Sequence, residues 1–172
     1  MTKVPIIESY WVKENRFLAG EYPGGYDSES TRPRINAFLE TGVNSFIDLT
    51  HTHELTSYEN VLKEQASIYK LSGVYHRFSI RDHHVPSSET MITILDTIDD
   101  ELKMGHNIYV HCWGGVGRTG IVVACYLVRH GSSNEQALLQ VNKLYKSRPN
   151  NPYYPQSPES NAQIEFVSNW HE

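Results

Sequence analysis

His111 and Cys112 stand side by side, followed by Trp113, Gly114, Gly115, Val116 and Gly117, then Arg118, Thr119 and Gly120. Each residue type has a chemical use at this spacing. Three glycines between the cysteine and the arginine let the backbone curl until successive N–H groups point into one concavity. Such a cradle binds an oxyanion, and a helix starting near Arg118 adds the positive end of its dipole. A cysteine at the lip of a positive field is favoured as the thiolate, its nucleophilic form. Arg118 carries a planar fork that grips two oxygens of a phosphoryl group, a geometry an ammonium does not match. Together these groups suit in-line attack of sulfur on phosphorus, with the cradle stabilising charge on the equatorial oxygens. The loop lacks the Lys-Ser/Thr ending of a nucleotide P-loop.

A departing oxygen needs a proton, so a carboxylic acid belongs on a neighbouring loop. Asp82, in Arg81-Asp82-His83-His84-Val85-Pro86, follows a predicted strand and precedes a predicted helix. Glu89 and Asp48 are rival carboxylates, and Asp48 reads better as a structural anchor at a strand end. His51, His53, His83 and His84 lack a nearby cysteine or a well-spaced carboxylate set, so they read as loop histidines rather than metal ligands. Those at 83 and 84 remain within reach of a substrate. Cys125 lies about seven residues into the following helix, ~10 Å of rise beyond Arg118, and reads as a core cysteine rather than a resolving thiol. Trp113 reads equally as a pocket wall and as packing, and Tyr153 and Tyr154 as loop packing.

The elements that must position these groups are predicted from periodicity and punctuation. Tyr10–Val12, Arg16–Ala19, Ser45–Leu49, Val74–Ile80 and Asn107–Val110 read as strands. Helices are expected from near Pro33 to Gly42, from a Thr56–Glu59 capping box to Gly73, from Ser87 or Ser88 to Gly105 and from about Arg118 to His130. Two more run from a Ser132–Glu135 cap to Pro149 and from about Glu159 to Trp170. Strands alternating with helices imply an α/β fold: a mixed, largely parallel twisted sheet of about four to five strands with helices on both faces. The chemical segment then falls at the carboxyl end of a strand, where open α/β sheets place ligands.

Composition narrows the function classes. The chain has 172 residues, 39% apolar and 20% charged, which reads as one globular domain over 1–172. Net charge is −5 and the 15 Lys and Arg form no block, so no nucleic-acid surface is expected. The longest apolar run, Ile121 to Val128, is too short for a bilayer, and Met1–Glu8 shows no secretory signal, so no membrane partner is expected. Two cysteines make no disulfide framework and fit a reducing, cytoplasmic setting.

The segment His111–Gly120 resembles the signature loop of cysteine-dependent protein phosphatases, His-Cys-(five residues)-Arg-Ser/Thr. The order of elements and the spacing from Asp82 to Cys112 resemble the compact dual-specificity members. The resemblance runs from about Arg16 to Trp170 and implies the protein tyrosine phosphatase-like fold. It also implies roles. Cys112 is then the nucleophile and Arg118 the clamp, Thr119 hydrogen-bonds the sulfur, and His111 holds the loop. The amides of Trp113, Gly114, Gly115, Val116, Gly117 and Arg118 bind phosphoryl oxygens. Asp82 is acid and then base, although Ile80-Arg81 stand where tyrosine-specific relatives have Trp-Pro. Gln163 resembles a glutamine that positions the hydrolytic water. The scheme implies no cofactor and no metal, and a bell-shaped pH profile with a mildly acidic optimum.

The implied substrate is a phosphoprotein or phosphopeptide, carrying phosphotyrosine and, for a shallow pocket, phosphoserine or phosphothreonine. A phosphoinositide, inositol polyphosphate or RNA 5′-phosphate calls for extra cations. No lysine stands between Cys112 and Arg118, so these rank lower unless Arg32, Arg34, Arg77 and Arg81 converge. A phosphate-binding module without turnover ranks lower still, because Cys112, Asp82 and Arg118 are all present. A monomer is the default expectation.

Overall fold

The computed structural model describes residues 3–172. In chain order its strands and helices are β1 (Ser9–Lys13), β2 (Phe17–Gly20), α1 (Ser28–Glu40), β3 (Ser45–Asp48), α2 (Glu59–Ile68) and β4 (Val74–Arg77), followed by α3 (Ser88–Lys103), β5 (Ile108–His111), α4 (Gly117–Arg129), α5 (Asn134–Tyr145) and α6 (Asn161–Ser168). The sheet order is β1-β2-β5-β3-β4, parallel except for the β1–β2 edge pair. This is the mixed, largely parallel sheet expected from the alternation of strands and helices.

Side chains alternate across a strand, and the core divides accordingly. Phe17, Ala19, Ile47, Ile108 and Val110 pack on one face with α3, α4 and α5, where Ile98, Val122 and Val141 are fully buried. Leu18, Phe46 and Tyr109 point to the other face and meet Phe38 of α1 and Leu62 of α2. β5 therefore lies in the middle of the sheet, covered on both sides, and its carboxyl end delivers His111 and Cys112 to a fixed place. The helix that follows, α4, is buried along most of its length.

Several boundaries differ from the sequence reading, among them those of α1, α2, α5 and β4. Helix α1 starts earlier, at an Asp27–Ser30 capping box, which leaves Pro33 inside it. Helix α2 has no box at Thr56: its cap is Tyr58, without a side-chain cap bond. The reason is tertiary, since Thr56 offers its carbonyl to the Tyr22 hydroxyl and Tyr58 is held by its own hydroxyl at His111. Helix α5 is capped by a Ser133–Gln136 box rather than Ser132–Glu135. Ser132 N–H is already donated to Leu127 O in the C-terminal cap of α4. Strand β4 ends at Arg77 rather than Ile80, yet Phe78 N still donates to Asp48 O and Ile80 N to Leu49 O. The chain thus follows β3 down to Asp82.

Candidate active site

The loop from Cys112 to Val116 joins β5 to α4, and its conformation is set from outside. Each of its five carbonyls accepts a hydrogen bond from a donor that lies away from the loop's concave side. His111 Nδ1 donates to Cys112 O at 3.0 Å, and Tyr22 N to Trp113 O at 2.8 Å. Arg148 Nη1 reaches Gly114 O at 3.1 Å and Gly115 O at 3.2 Å, and Ser157 Oγ donates to Val116 O at 2.6 Å. In a trans peptide the N–H points opposite to the C=O. Turning these five carbonyls outward therefore turns the N–H groups of residues 113 to 117 toward the cradle. Gly115 has φ +67°, and a Cβ there would run into the Gly20 carbonyl and Glu21 N. Helix α4 starts at Gly117 with no side-chain cap, so its first amides add to the same anion-binding concavity.

Cys112 is buried at the floor of a cavity of about 730 Å³. Arg118 is 1% exposed and its guanidinium is clamped. Its Nη1 and Nη2 donate to Glu54 Oε2 and Oε1 at 2.9 and 2.5 Å, Nη1 also to Ile80 O at 3.0 Å, and Nη2 lies 3.0 Å from Asp82 Oδ1. Burial works against the Glu54 charge, but its bonds from Arg118 and the His51 amide win and hold the carboxyl below its ordinary range. Among the described residues, four buried polar atoms of the site have no protein partner: Arg118 Nε, Thr119 Oγ1, Arg148 Nε and Gln163 Nε2. A donor-rich pocket with polar atoms left over fits a phosphoryl group.

His111 is fully buried, and burial holds its imidazole below the usual range despite the attraction of Asp48. A neutral ring that donates from Nδ1 accepts at Nε2, where the Tyr58 hydroxyl lies at 2.6 Å. This tautomer makes His111 a spacer between the core and the loop. Asp48 is the anchor the sequence suggested: it accepts from the Thr50 hydroxyl and N–H, the Tyr75 hydroxyl and Arg77.

The acid loop is tied to its surroundings through His83, which has φ +61°. Its Nδ1 lies 3.3 Å from Glu159 Oε1 and its Nε2 3.4 Å from Asp82 Oδ2. Among the described residues, Asp82, His83 and Glu159 are the grouping of three metal-capable side chains. Both ring nitrogens face carboxylates. Burial pushes the Glu159 carboxyl above its ordinary range; His83 opposes this and Asp82 reinforces it. Gln163 Oε1 accepts from Glu159 N and Ser160 N at the start of α6, which leaves its Nε2 free beside Gly117.

The structure thus brings together Cys112, Arg118, Asp82, Thr119, His111 and Gln163. It leaves Glu89 outside this cavity, in the exposed first turn of α3. Cys125 is buried in the core, where burial pushes its thiol well up. Trp113 is 57% exposed, so it is a wall and not packing; Tyr153 is 86% exposed, which corrects the expectation of loop packing. Sequence reasoning missed Glu54, Arg148, Ser157 and Glu159. Their only local signal was charge or a hydroxyl in a loop, because each meets the site across 33 residues or more.

The fold and this loop define a class before they define a member: an α/β domain built around a cysteine-containing anion cradle at the end of its central strand. Residues 22–132 match the family model described as "Polymorphic toxin system, DSP-PTPase phosphatase", and the chain belongs to that family. It is 34% identical over 108 residues to the phosphatidylinositol 3,4,5-trisphosphate 3-phosphatase and protein-tyrosine-phosphatase PTEN1 of Arabidopsis thaliana, covering 62% of this chain and 25% of that one. It is 31% identical over 129 residues to protein tyrosine phosphatase domain-containing protein 1 of Mus musculus, covering 71% of this chain and 17% of that one. The chain therefore spans a quarter or less of these two relatives. In fold it is similar to Tk-PTP in the active form, with a TM-score of 0.72 at 21% identity over 93% of both chains. Among the described residues, no helix is long and apolar enough to cross a membrane.

Proposed function

We propose that this phosphatase hydrolyses phosphomonoesters on phosphoproteins, phosphotyrosine above all and phosphoserine or phosphothreonine as well, through a cysteinyl-phosphate intermediate. The observation that carries the mechanism is the loop whose five carbonyls are held outward around Cys112. In the first step the Cys112 thiolate attacks phosphorus in line, the P–O bond breaks, and Asp82 gives its proton to the leaving oxygen. The inward amides and Arg118 Nε bind the three equatorial oxygens. In the second step water attacks the cysteinyl phosphate, Asp82 takes its proton, and the S–P electron pair returns to sulfur. The free Thr119 hydroxyl stabilises that sulfur, and the free Gln163 amide holds the water.

Two features support a protein substrate: the side chains between Cys112 and Arg118 include no lysine, and Trp113 stands open at the mouth. The second reading, a phosphoinositide, is favoured by the Arabidopsis relative, named for both a phosphatidylinositol trisphosphate and a protein-tyrosine phosphatase activity. The test is hydrolysis of an aryl phosphate from pH 4.5 to 8 with EDTA, for wild type, Cys112→Ser and Asp82→Asn. We expect a bell that survives EDTA, no turnover in the Cys112 variant, and loss of the basic limb in the Asp82 variant. Full activity of Cys112→Ser would sink the mechanism. Phosphopeptide and phosphoinositide panels then separate the two substrate readings.

A further inference from the structure

We infer that the cavity around Cys112 selects phosphate groups borne on basic polypeptide segments, through carboxylates and open aromatic faces on its rim; this rests on the protein-phosphate reading above. Four carboxylates line the cavity: Glu8 and Glu21 on the β1–β2 side, Asp82 and Glu159 on the other. Only two arginines line it, and no lysine among the described residues does. The Nη groups of both arginines are engaged, those of Arg118 by Glu54, Asp82 and Ile80 O and Nη1 of Arg148 by the carbonyls of Gly114 and Gly115, which leaves Arg118 Nε for a single phosphoryl group. Glu21 shares its charge with Arg34 at 3.3 Å, whereas no salt bridge to Glu8 forms among the described residues. The Glu8 backbone carbonyl accepts from Glu21 N, which fixes the two acidic positions next to each other. Their proximity is felt: burial first, and the Glu8 charge second, hold Glu21 above its ordinary range.

The second observation is independent of charge. Trp113, Tyr153 and Tyr154 border the same cavity and are 57%, 86% and 40% exposed. Open aromatic faces beside carboxylates are the chemistry that receives arginine and lysine side chains. The same rim disfavours a second phosphate, since four carboxylates line the cavity. Of the four arginines that could serve a polyanion, Arg32 is paired with Glu64, Arg77 with Asp48 and Arg34 with Glu21 at the rim, while Arg81 has no salt-bridge partner among the described residues and does not line the cavity.

One phosphotyrosine peptide is made in three versions, with arginine and lysine, alanine, or glutamate and aspartate flanking the phosphotyrosine. Values of kcat/KM are compared for wild type, Glu8→Gln and Glu8→Lys at low and high salt, alongside p-nitrophenyl phosphate and a short-chain phosphatidylinositol trisphosphate. We expect the basic peptide to exceed the acidic one about tenfold at low salt, a gap that shrinks in 0.5 M NaCl, where the Debye length falls to a few ångströms. The gap should narrow in Glu8→Gln and narrow further in Glu8→Lys, with p-nitrophenyl phosphate turnover unchanged. Equal rates on the three peptides with full aryl phosphate activity overturn this proposal alone. Faster turnover of the trisphosphate than of any peptide overturns the protein-phosphate reading with it. Inertness toward the aryl phosphate removes the catalytic reading and this proposal together.

Discussion

Replacing Arg148 by methionine removes the one side chain that holds two carbonyls of the cradle, Gly114 O and Gly115 O. The peptides that carry those carbonyls supply the N–H groups of Gly115 and Val116, so the tether aims two donors at the phosphoryl oxygens. A hydrogen bond from a charged donor contributes about 1.5–3 kcal/mol, and here one Nη1 is shared between two acceptors, so one such increment is the reasonable total. If that increment is lost mainly from the transition state, kcat/KM on an aryl phosphate falls about ten- to 150-fold, at 1.36 kcal/mol per decade. Arg148 also stacks 5.0 Å from the centroid of the Tyr145 ring, worth about 0.5–1 kcal/mol of stability at a partly exposed site. That corresponds to a fall in Tm of about 1–4 °C for a chain of this size, so the assay belongs well below the transition. Arg148→Lys keeps the charge but not the fork, and it separates field from geometry. We expect it to recover only part of the loss and orthovanadate affinity to follow the same order. Methionine activity within twofold of wild type would refute the reasoning, as would a loss that tracks the unfolded fraction. Full recovery by lysine would mean that the charge matters and the tether does not.

Gly115→Ala forces a side chain into a left-handed backbone at φ +67° and into the Gly20–Glu21 peptide. It should cost more than tenfold in kcat/KM together with a clear drop in Tm, and a wild-type profile in both assays would contradict the described loop. For Glu54 the folded carboxyl sits below its ordinary range, so its stabilisation is present at neutral pH and lost as pH falls through the folded-state titration. The Tm gap between wild type and Glu54→Gln should therefore be wider at pH 7 than at pH 4, and a pH-independent gap would contradict the Arg118 clamp. Glu159 has the opposite sign, because its carboxyl is raised in the folded chain and its ionised form is disfavoured there. Glu159→Gln should gain on wild type in Tm as pH rises from 4 to 7, and a trend in the other direction would contradict the partly desolvated setting of Glu159 beside His83 and Asp82.

Regular spacing was readable in the sequence, and contact across the chain was not. Phe17, Ala19 and Leu18 alternate as a strand must, Met91, Leu95, Ile98 and Leu102 recur as a helix must, and both patterns are local. The His111–Gly120 segment was legible because glycine, cysteine and arginine at that spacing have few other uses. Glu54 carried no such mark, since its partner Arg118 is 64 residues away and only the fold introduces them. The caps show the same limit on a smaller scale. Ser132 and Ser133 are alike in type, and the end of α4 uses the first, which leaves the second to start α5. Thr56 fails as a cap because Tyr58 is fastened to His111, a contact 53 residues apart.

The cradle is built from peptide groups, and the donors that shape it, His111, Tyr22 N, Arg148 and Ser157, all stand outside the span from Cys112 to Val116. The side chains of Trp113 and Val116 are thereby released from any part in holding the anion. Catalytic competence and taste for a substrate are written in different alphabets, one in main-chain direction fixed from afar, the other in side chains that project from the same few residues. Exchanging the exposed Trp113 for a basic or small residue should change which phosphoester is preferred while leaving the main-chain cradle in place. On the proposed function, a descendant of this chain would have a short route to a new phosphoester, whereas a change at Arg148 or Ser157, remote in sequence, would lower turnover of every phosphoester alike.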